Sequence, residues 1–205
     1  MEEFRESLAA EAQHELDELI RDWMAKREYS RRLMIRYLDS QSYQVLLSNM
    51  RRMFASLESP PSDAASVGDV APRLLYLDWH IVRAYGRILK GSPIELLHAL
   101  RIDCKRLRYA LEFFAEILPA QLIMAIPKIV ALQDHLGEMR DATIAIEMID
   151  AFGARKEATG LAGIQAYRHA CQTEMTRRIE TFPRAWRRFS RARIKKQLDY
   201  LLEQD

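Results

Sequence analysis

A chain of 205 residues, 49% hydrophobic and 29% charged, is long enough to bury a core and close to the size of one large domain. Seven Gly and seven Pro against recurrent Ala, Leu, Glu, Arg and Met disfavour strands joined by many turns and favour an all-α architecture. The formal net charge is only +2, so any electrostatic function depends on where the charges lie rather than on their sum.

Residues 1–22 are acidic, with Glu2, Glu3, Glu6, Glu11, Glu15, Asp17, Glu18 and Asp22 against Arg5 and Arg21. Such a start has neither the basic-then-apolar order of a signal peptide nor a membrane span, and no later run approaches 18 apolar residues. A cytoplasmic location is the expectation. From Phe4 to about Ala55 the apolar positions Leu8, Ala12, Leu16, Leu19, Trp23, Leu33, Tyr37, Val45, Leu46, Met50 and Phe54 keep a helical period. Asp39, Ser40, Gln41 and Ser42 interrupt it with capping side chains, which predicts a helical hairpin with a short loop. Residues 56–72, SLESPPSDAASVGDVAP, lack periodicity and contain Pro60 and Pro61, which predicts a linker.

Helices are then predicted from about Arg73 to Leu89 and from Ser92 to Leu118, the latter opened by Ser92 as cap, Pro93 in the first turn and Glu95 at the capping-box position. Pro119 and Pro127 bracket a short segment before a helix over roughly Lys128 to Phe152, with Gly137 inside it as a sign of close packing. A loop from Gly153 to Gly163 separates it from a helix over Ile164 to Thr181, and a last helix runs from Pro183 to Glu203. The total is about seven helices, with domains at 1–55 and 73–205 joined by 56–72. Residues 177–196 are strongly basic: Arg177, Arg178, Arg184, Arg187, Arg188, Arg191, Arg193, Lys195 and Lys196 against Glu180 alone.

The segment Pro93 to Phe114, PIELLHALRIDCKRLRYALEFF, sorts by character when each residue advances about 100° around a helix. Leu97, Leu100, Cys104, Leu107, Ala110, Leu111 and Phe114 share one arc, as a core-facing stripe requires. His98, Arg101, Lys105, Arg108 and Tyr109 share the opposite arc, so three permanent cations and one imidazole line a single ridge. Like charges at this spacing destabilise a helix unless a counter-charge is present. Glu112 supplies part of it, and a bound polyanion would supply the rest. A solvated basic face fits the periodicity equally well.

These residues resemble a known family. HALRIDCKRLRYALEFF, residues 98–114, is similar to the signature helix of the CHAD family (conserved histidine α-helical domain), with its HxxR spacing, basic pair and RLRYxLE ending. LQDHLGEMRDATIA at 132–145 resembles the family's LQDxLGxxxD motif and PRAWRRF at 183–189 its terminal helix, and more loosely residues 30–54, with SRRLMIRYLDSQSYQVLL, are similar to the hairpin that closes its first half. The resemblance implies two four-helix halves facing across a basic channel, and inorganic polyphosphate bound there without catalysis. It implies His98, Arg101, Lys105, Arg106 and Arg108 as polyphosphate contacts, with Lys128 and Arg140 added from the next motif. The chain starts at what looks like the third helix of the first half and so resembles an N-terminally truncated member. An edge left open in this way is expected to expose apolar surface, with self-association or a separately encoded partner as the consequence. Association with polyphosphate granules would follow from the ligand.

Competing readings rest on other residues. Trp186 and Phe189 interleave with the arginines of 177–196, which gives a nucleic-acid binder as the alternative, and a structural partner protein that has lost its ligand is a third reading. Trp23, Trp79 and Trp186 otherwise read as core. His14, His80, His135 and His169 show no HExxH or HxxxH spacing, and Cys104 and Cys171 no CxxC, so no metal, cofactor or disulfide framework is expected. Neither a Gly-rich phosphate loop, a GxSxG elbow nor an ExExK motif occurs, so no enzyme is expected.

Overall fold

Asp39 and Ser40 divide the N-terminal region as their capping chemistry predicts. The computed structural model describes residues 4, 6–56, 66–87, 94–156, 161–191 and 194–202, and places α1 at Ala10–Leu38 and α2 at Gln41–Ala55. Ser40 Oγ accepts from Tyr43 N at 3.3 Å, satisfying a donor that the first turn of α2 would otherwise leave unpaired. α3, Val67–Ala84, opens on a capping box in which Ser66 Oγ accepts from Asp69 N at 3.2 Å and Ser66 N donates to Asp69 Oδ2 at 2.8 Å. The helix therefore begins inside the 56–72 stretch that composition assigns to a linker. Pro72 is carried within it at a buried position, and residues 57–65 lie outside the described residues.

A 3₁₀ turn at Tyr85–Arg87 follows, then α4 at Ile94–Phe113. The expected Ser92 cap and Pro93 lie outside the described residues. α5, Ala120–Ile123, is a single turn set between the two prolines, and α6 runs Ile126–Lys156 with Pro127 in its first turn, where a missing N–H costs nothing. α7 spans Ala162–Ser190 and α8 spans Ile194–Leu202. The sequence-based break before Pro183 is corrected: the helix passes through that proline without ending. Proline removes one backbone bond, but Phe182, Ala185, Trp186 and Phe189 around it all pack on the core and hold the chain helical. The protein is an all-α bundle. Among the described residues seven helices have nine or more residues, α5 is a single turn, and there is no strand.

The chain forms two compact units, Met1–Ala64 with Met148–Arg168, and Ala65–Glu147 with His169–Asp205. In the first, Leu16 and Leu19 of α1 are buried, as are Ile149, Phe152 and Ile164. Glu15 Oε2 accepts from Gly163 N at 2.7 Å, and Arg155 Nη2 donates to Asp22 Oδ2 at 2.9 Å. A Cβ at Gly163 would lie 2.2 Å from Ala12 O, so only glycine permits this approach of α7 to α1. α2 has no buried residue. Beyond Trp23 most apolar side chains of the hairpin are exposed, including Tyr29, Met34, Tyr37, Leu46, Met50 and Phe54, while Tyr43 and Leu47 are half-buried.

The second unit holds the larger core. α3 contributes Leu75, Trp79 and Val82, while α4 contributes Leu97, Leu100, Cys104, Leu107 and Leu111. α6 supplies Ile129, Leu132, Leu136 and Met139, and Phe182, Phe189, Ile194 and Leu198 close it. Trp79 and Trp186 each pack a tilted ring against Phe189, with centroids 5.3 Å apart in both pairs, so Trp79 lies in the core and Trp186 packs against it.

Candidate functional site

The apolar arc of α4 fixes what its other side presents. Leu100, Cys104, Leu107 and Leu111 are fully buried and Leu97 is 8% exposed, while on the other arc Lys105 is exposed and His98, Arg101 and Arg108 are half-buried. His98, Arg101, Lys105 and Arg108 lie within roughly 80° of one another on that arc.

Arg101 and Lys105 have no carboxylate within 4.0 Å among the described residues. Lys105 Nζ lies 5.3 Å and Arg108 Cζ 4.8 Å from the centroid of Tyr109, so that ring faces two cations at once. Arg108 Nε is 3.5 Å from Glu112 Oε1 in the ion pair that their four-residue spacing suggests, although Nε is buried and makes no hydrogen bond. Arg106 is set apart from the others. Its Nε donates to Asp78 Oδ1 of α3 at 3.1 Å, and this hydrogen bond, before the charge attraction that accompanies it, raises its pKa above the ordinary guanidinium value.

A cavity of about 260 Å³ lies beside the ridge, lined by Glu95, Leu97, His98, Leu136, Met139, Arg140, Thr143 and Glu147. It brings His98 of α4 and Arg140 of α6 to one space. His98 Nδ1 is buried with no hydrogen-bond partner, an orphan atom of the kind that a ligand or water normally satisfies. Arg140 Nη1 lies 3.6 Å from Glu147 Oε1, so the cavity holds carboxylates as well as cations. Gly137 sits opposite Arg101: a Cβ there would be 3.9 Å from Arg101 Nε, an ordinary contact rather than the tight packing that a mid-helix glycine suggests. Lys128 is exposed in the first turn of α6 and does not line the cavity.

Several participants carried no sequence signal. Asp78 stands 28 residues from Arg106, and Tyr85 Oη donates to Asp103 Oδ2 across 18 residues at 2.6 Å. Glu147 could have been found, since it follows Arg140 by seven residues and so shares its face. His135 is structural: its Nε2 is 2.8 Å from Arg178 O and its ring lies 6.0 Å from Phe182. Among the described residues no three His, Cys, Asp or Glu side chains are grouped to hold a metal, and no helix is long and apolar enough to cross a membrane.

No curated protein matches this chain. A family model described as CHAD domain matches residues 1–150 of the 205, a range that takes in the hairpin, α4 and most of α6 and ends before Pro183 to Phe189.

Proposed function

The chain belongs to the CHAD domain family, whose members bind polyphosphate, and from that premise we propose that it binds inorganic polyphosphate without catalysis through a basic helical face or channel lined by α4. One observation carries the reading: Arg101 and Lys105 share an arc with His98 and have no carboxylate partner among the described residues. Cations so placed repel one another, and a phosphate chain removes that cost while releasing its own condensed counterions.

Each residue has a part. Arg101 and Arg108 offer forked guanidinium donors to phosphate oxygens, and Lys105 adds a compact charge. Arg140 extends the site across the cavity and Lys128 meets the chain beyond it. Arg106, held by Asp78, anchors α4 to α3 and contributes its charge at the margin. Residues 1–55 stand in this reading for the end of a first half, 73–205 for a second, and 56–72 for the join. The location that goes with it is the cytoplasm, with polyphosphate granules where these form.

The nucleic-acid alternative loses its aromatic support, because Phe189 is fully buried and Trp186 packs on the core rather than standing free to stack on bases. The exposed hairpin belongs to the leading reading. Leu46, Met50, Met53 and Phe54 share one side of α2, while Arg51 and Arg52 lie away from it, so a second copy of the chain can close that face without opposing charges.

Mobility of long-chain polyphosphate in a gel at moderate salt tests the proposal. The native protein is expected to shift it and the Arg101→Glu, Lys105→Glu protein to lose the shift. Absence of any shift by the native protein at low salt overturns the reading. Displacement of polyphosphate by duplex nucleic acid at equal phosphate concentration would favour the alternative.

A further inference from the structure

α3 is apolar on two sides. Ala71, Leu75, Trp79 and Val82 turn into the core, while Val67, Val70, Leu74, Leu77 and Ile81 form a second stripe at alternate steps of three and four residues. The first four of that stripe are exposed and Ile81 is half-buried. A helix on the outside of a bundle needs only one apolar stripe, so the second has no use within this fold.

α4 enlarges the same surface. Arg106 Nε donates to Asp78 Oδ1 at 3.1 Å, and Asp78 stands four residues after Leu74 and three before Ile81, so the contact joins the outer stripe of α3 to the side of α4 that carries Arg106. Ile102 precedes Arg106 by four residues and Phe113 follows it by seven, which puts both on that side. Both are exposed, Phe113 by 80%. Single exposed apolar residues are ordinary, but Val67, Val70, Leu74, Leu77, Ile102 and Phe113 lie on two neighbouring helices joined by one ion pair. About half exposed on average, these side chains offer on the order of 600 Å², as much as the largest patch on a typical monomer.

We infer that this face of α3 and α4 docks a second copy of the chain, with α3 lying along α3. Alternate steps of three and four residues are what two helices need to interlock along a seam, and a second copy brings the same steps. The stripe from Val67 to Ile81 covers about 21 Å of helix, enough for four turns to engage. Charge permits the pairing. α3 holds Asp69 and Asp78 against Arg73 and Arg83, so two copies meet without net repulsion, whereas a strongly acidic or basic partner finds no complement. Arg73 and His80 are exposed at the border of the stripe, and their apolar parts bring the area close to the roughly 800 Å² per partner of a standard interface. Leu74 and Leu77 lie outside the cationic face of α4, so the inference stands apart from the ligand proposed for that face. It also stands apart from α2, which belongs to the other unit.

Analytical ultracentrifugation of the Leu46→Glu, Met50→Glu protein, in which the α2 face can no longer associate, isolates the contact. A dimer that forms with rising concentration is expected there, and adding Leu74→Glu, Leu77→Glu should leave a single chain with unchanged helical circular dichroism. A single chain at every concentration before that addition overturns the inference. Should the added glutamates disturb folding, Phe113→Ser in the same background removes a side chain with little packing to lose and must still raise the dimer's dissociation constant, by about tenfold. An unchanged constant overturns the inference. Flotation with phosphatidylcholine vesicles tests the other cover for an apolar face: native chain that floats with them, and ceases to after Leu74→Glu, Leu77→Glu, assigns the face to lipid and overturns the second copy.

Discussion

Glu174 accepts hydrogen bonds from two arginines of its own helix, and these, Arg177 first and then Arg178, pull its pKa down to about 2. A carboxylate whose folded pKa is depressed contributes stability that is present above its ordinary value and is lost as pH falls towards the folded one. The loss is therefore expected between about pH 4.5 and pH 2. Glu174→Gln should flatten the fall of melting temperature across that window, while a parallel curve would remove Glu174 as a cause. Tyr85 works in the opposite sense. Burial first, then its bond to Asp103, raises it to about 12, so its neutral form is the native one and its contribution fades only as pH rises above 10. That bond also explains why Asp103 is tolerated beside the apolar arc, a placement with no rationale in sequence alone. Cys104 lies within that arc and is likewise pushed up to about 12 by burial, which keeps it a packed thiol.

At the scale of the helix, period decides what was legible. The alternation of Leu97, Leu100, Cys104, Leu107 and Leu111 with His98, Arg101, Lys105 and Arg108 follows from 3.6 residues per turn, so the burial of the first set could be read directly, whereas the half-burial of His98, Arg101 and Arg108 could not. Ser40 likewise declared the turn between α1 and α2 through local chemistry. Pro183 misled because tertiary packing overrides a proline's local cost, and the pairing of Arg155 with Asp22 was hidden because 133 residues separate them. Two predictions belong here. Leu107→Ala, in the fully buried arc, should cost about 2–5 kcal/mol in urea denaturation; a cost below 1 kcal/mol would contradict the core placement of α4. Leu46→Glu, Met50→Glu on the bare face of α2 should leave the helical circular dichroism unchanged and lower the mass seen by light scattering, with the melt losing dependence on protein concentration. A monodisperse monomer for the native chain would count against the second copy.

Over the whole molecule the charges nearly cancel, yet they are segregated: acids gather in residues 1–22, while cations gather on α4 and towards the end of α7. Binding by such local faces is set by the number of cations that meet phosphate, not by net charge, and that number is read from the dependence of affinity on salt. The legible part of the candidate site was accordingly the grouping of cations on α4 and not the cavity beside it, since Glu95, Arg140 and Glu147 meet His98 only once α4 and α6 are packed. The most direct test is fluorescence anisotropy with labelled polyphosphate over a series of salt concentrations, comparing the native chain with Arg101→Ala, Lys105→Ala. Removing two contacts should weaken binding at every salt concentration and reduce the slope of log affinity against log salt by about 1.4, at about 0.7 per cation for a single chain. An identical slope and affinity in the two proteins would show that the α4 face does not touch the ligand.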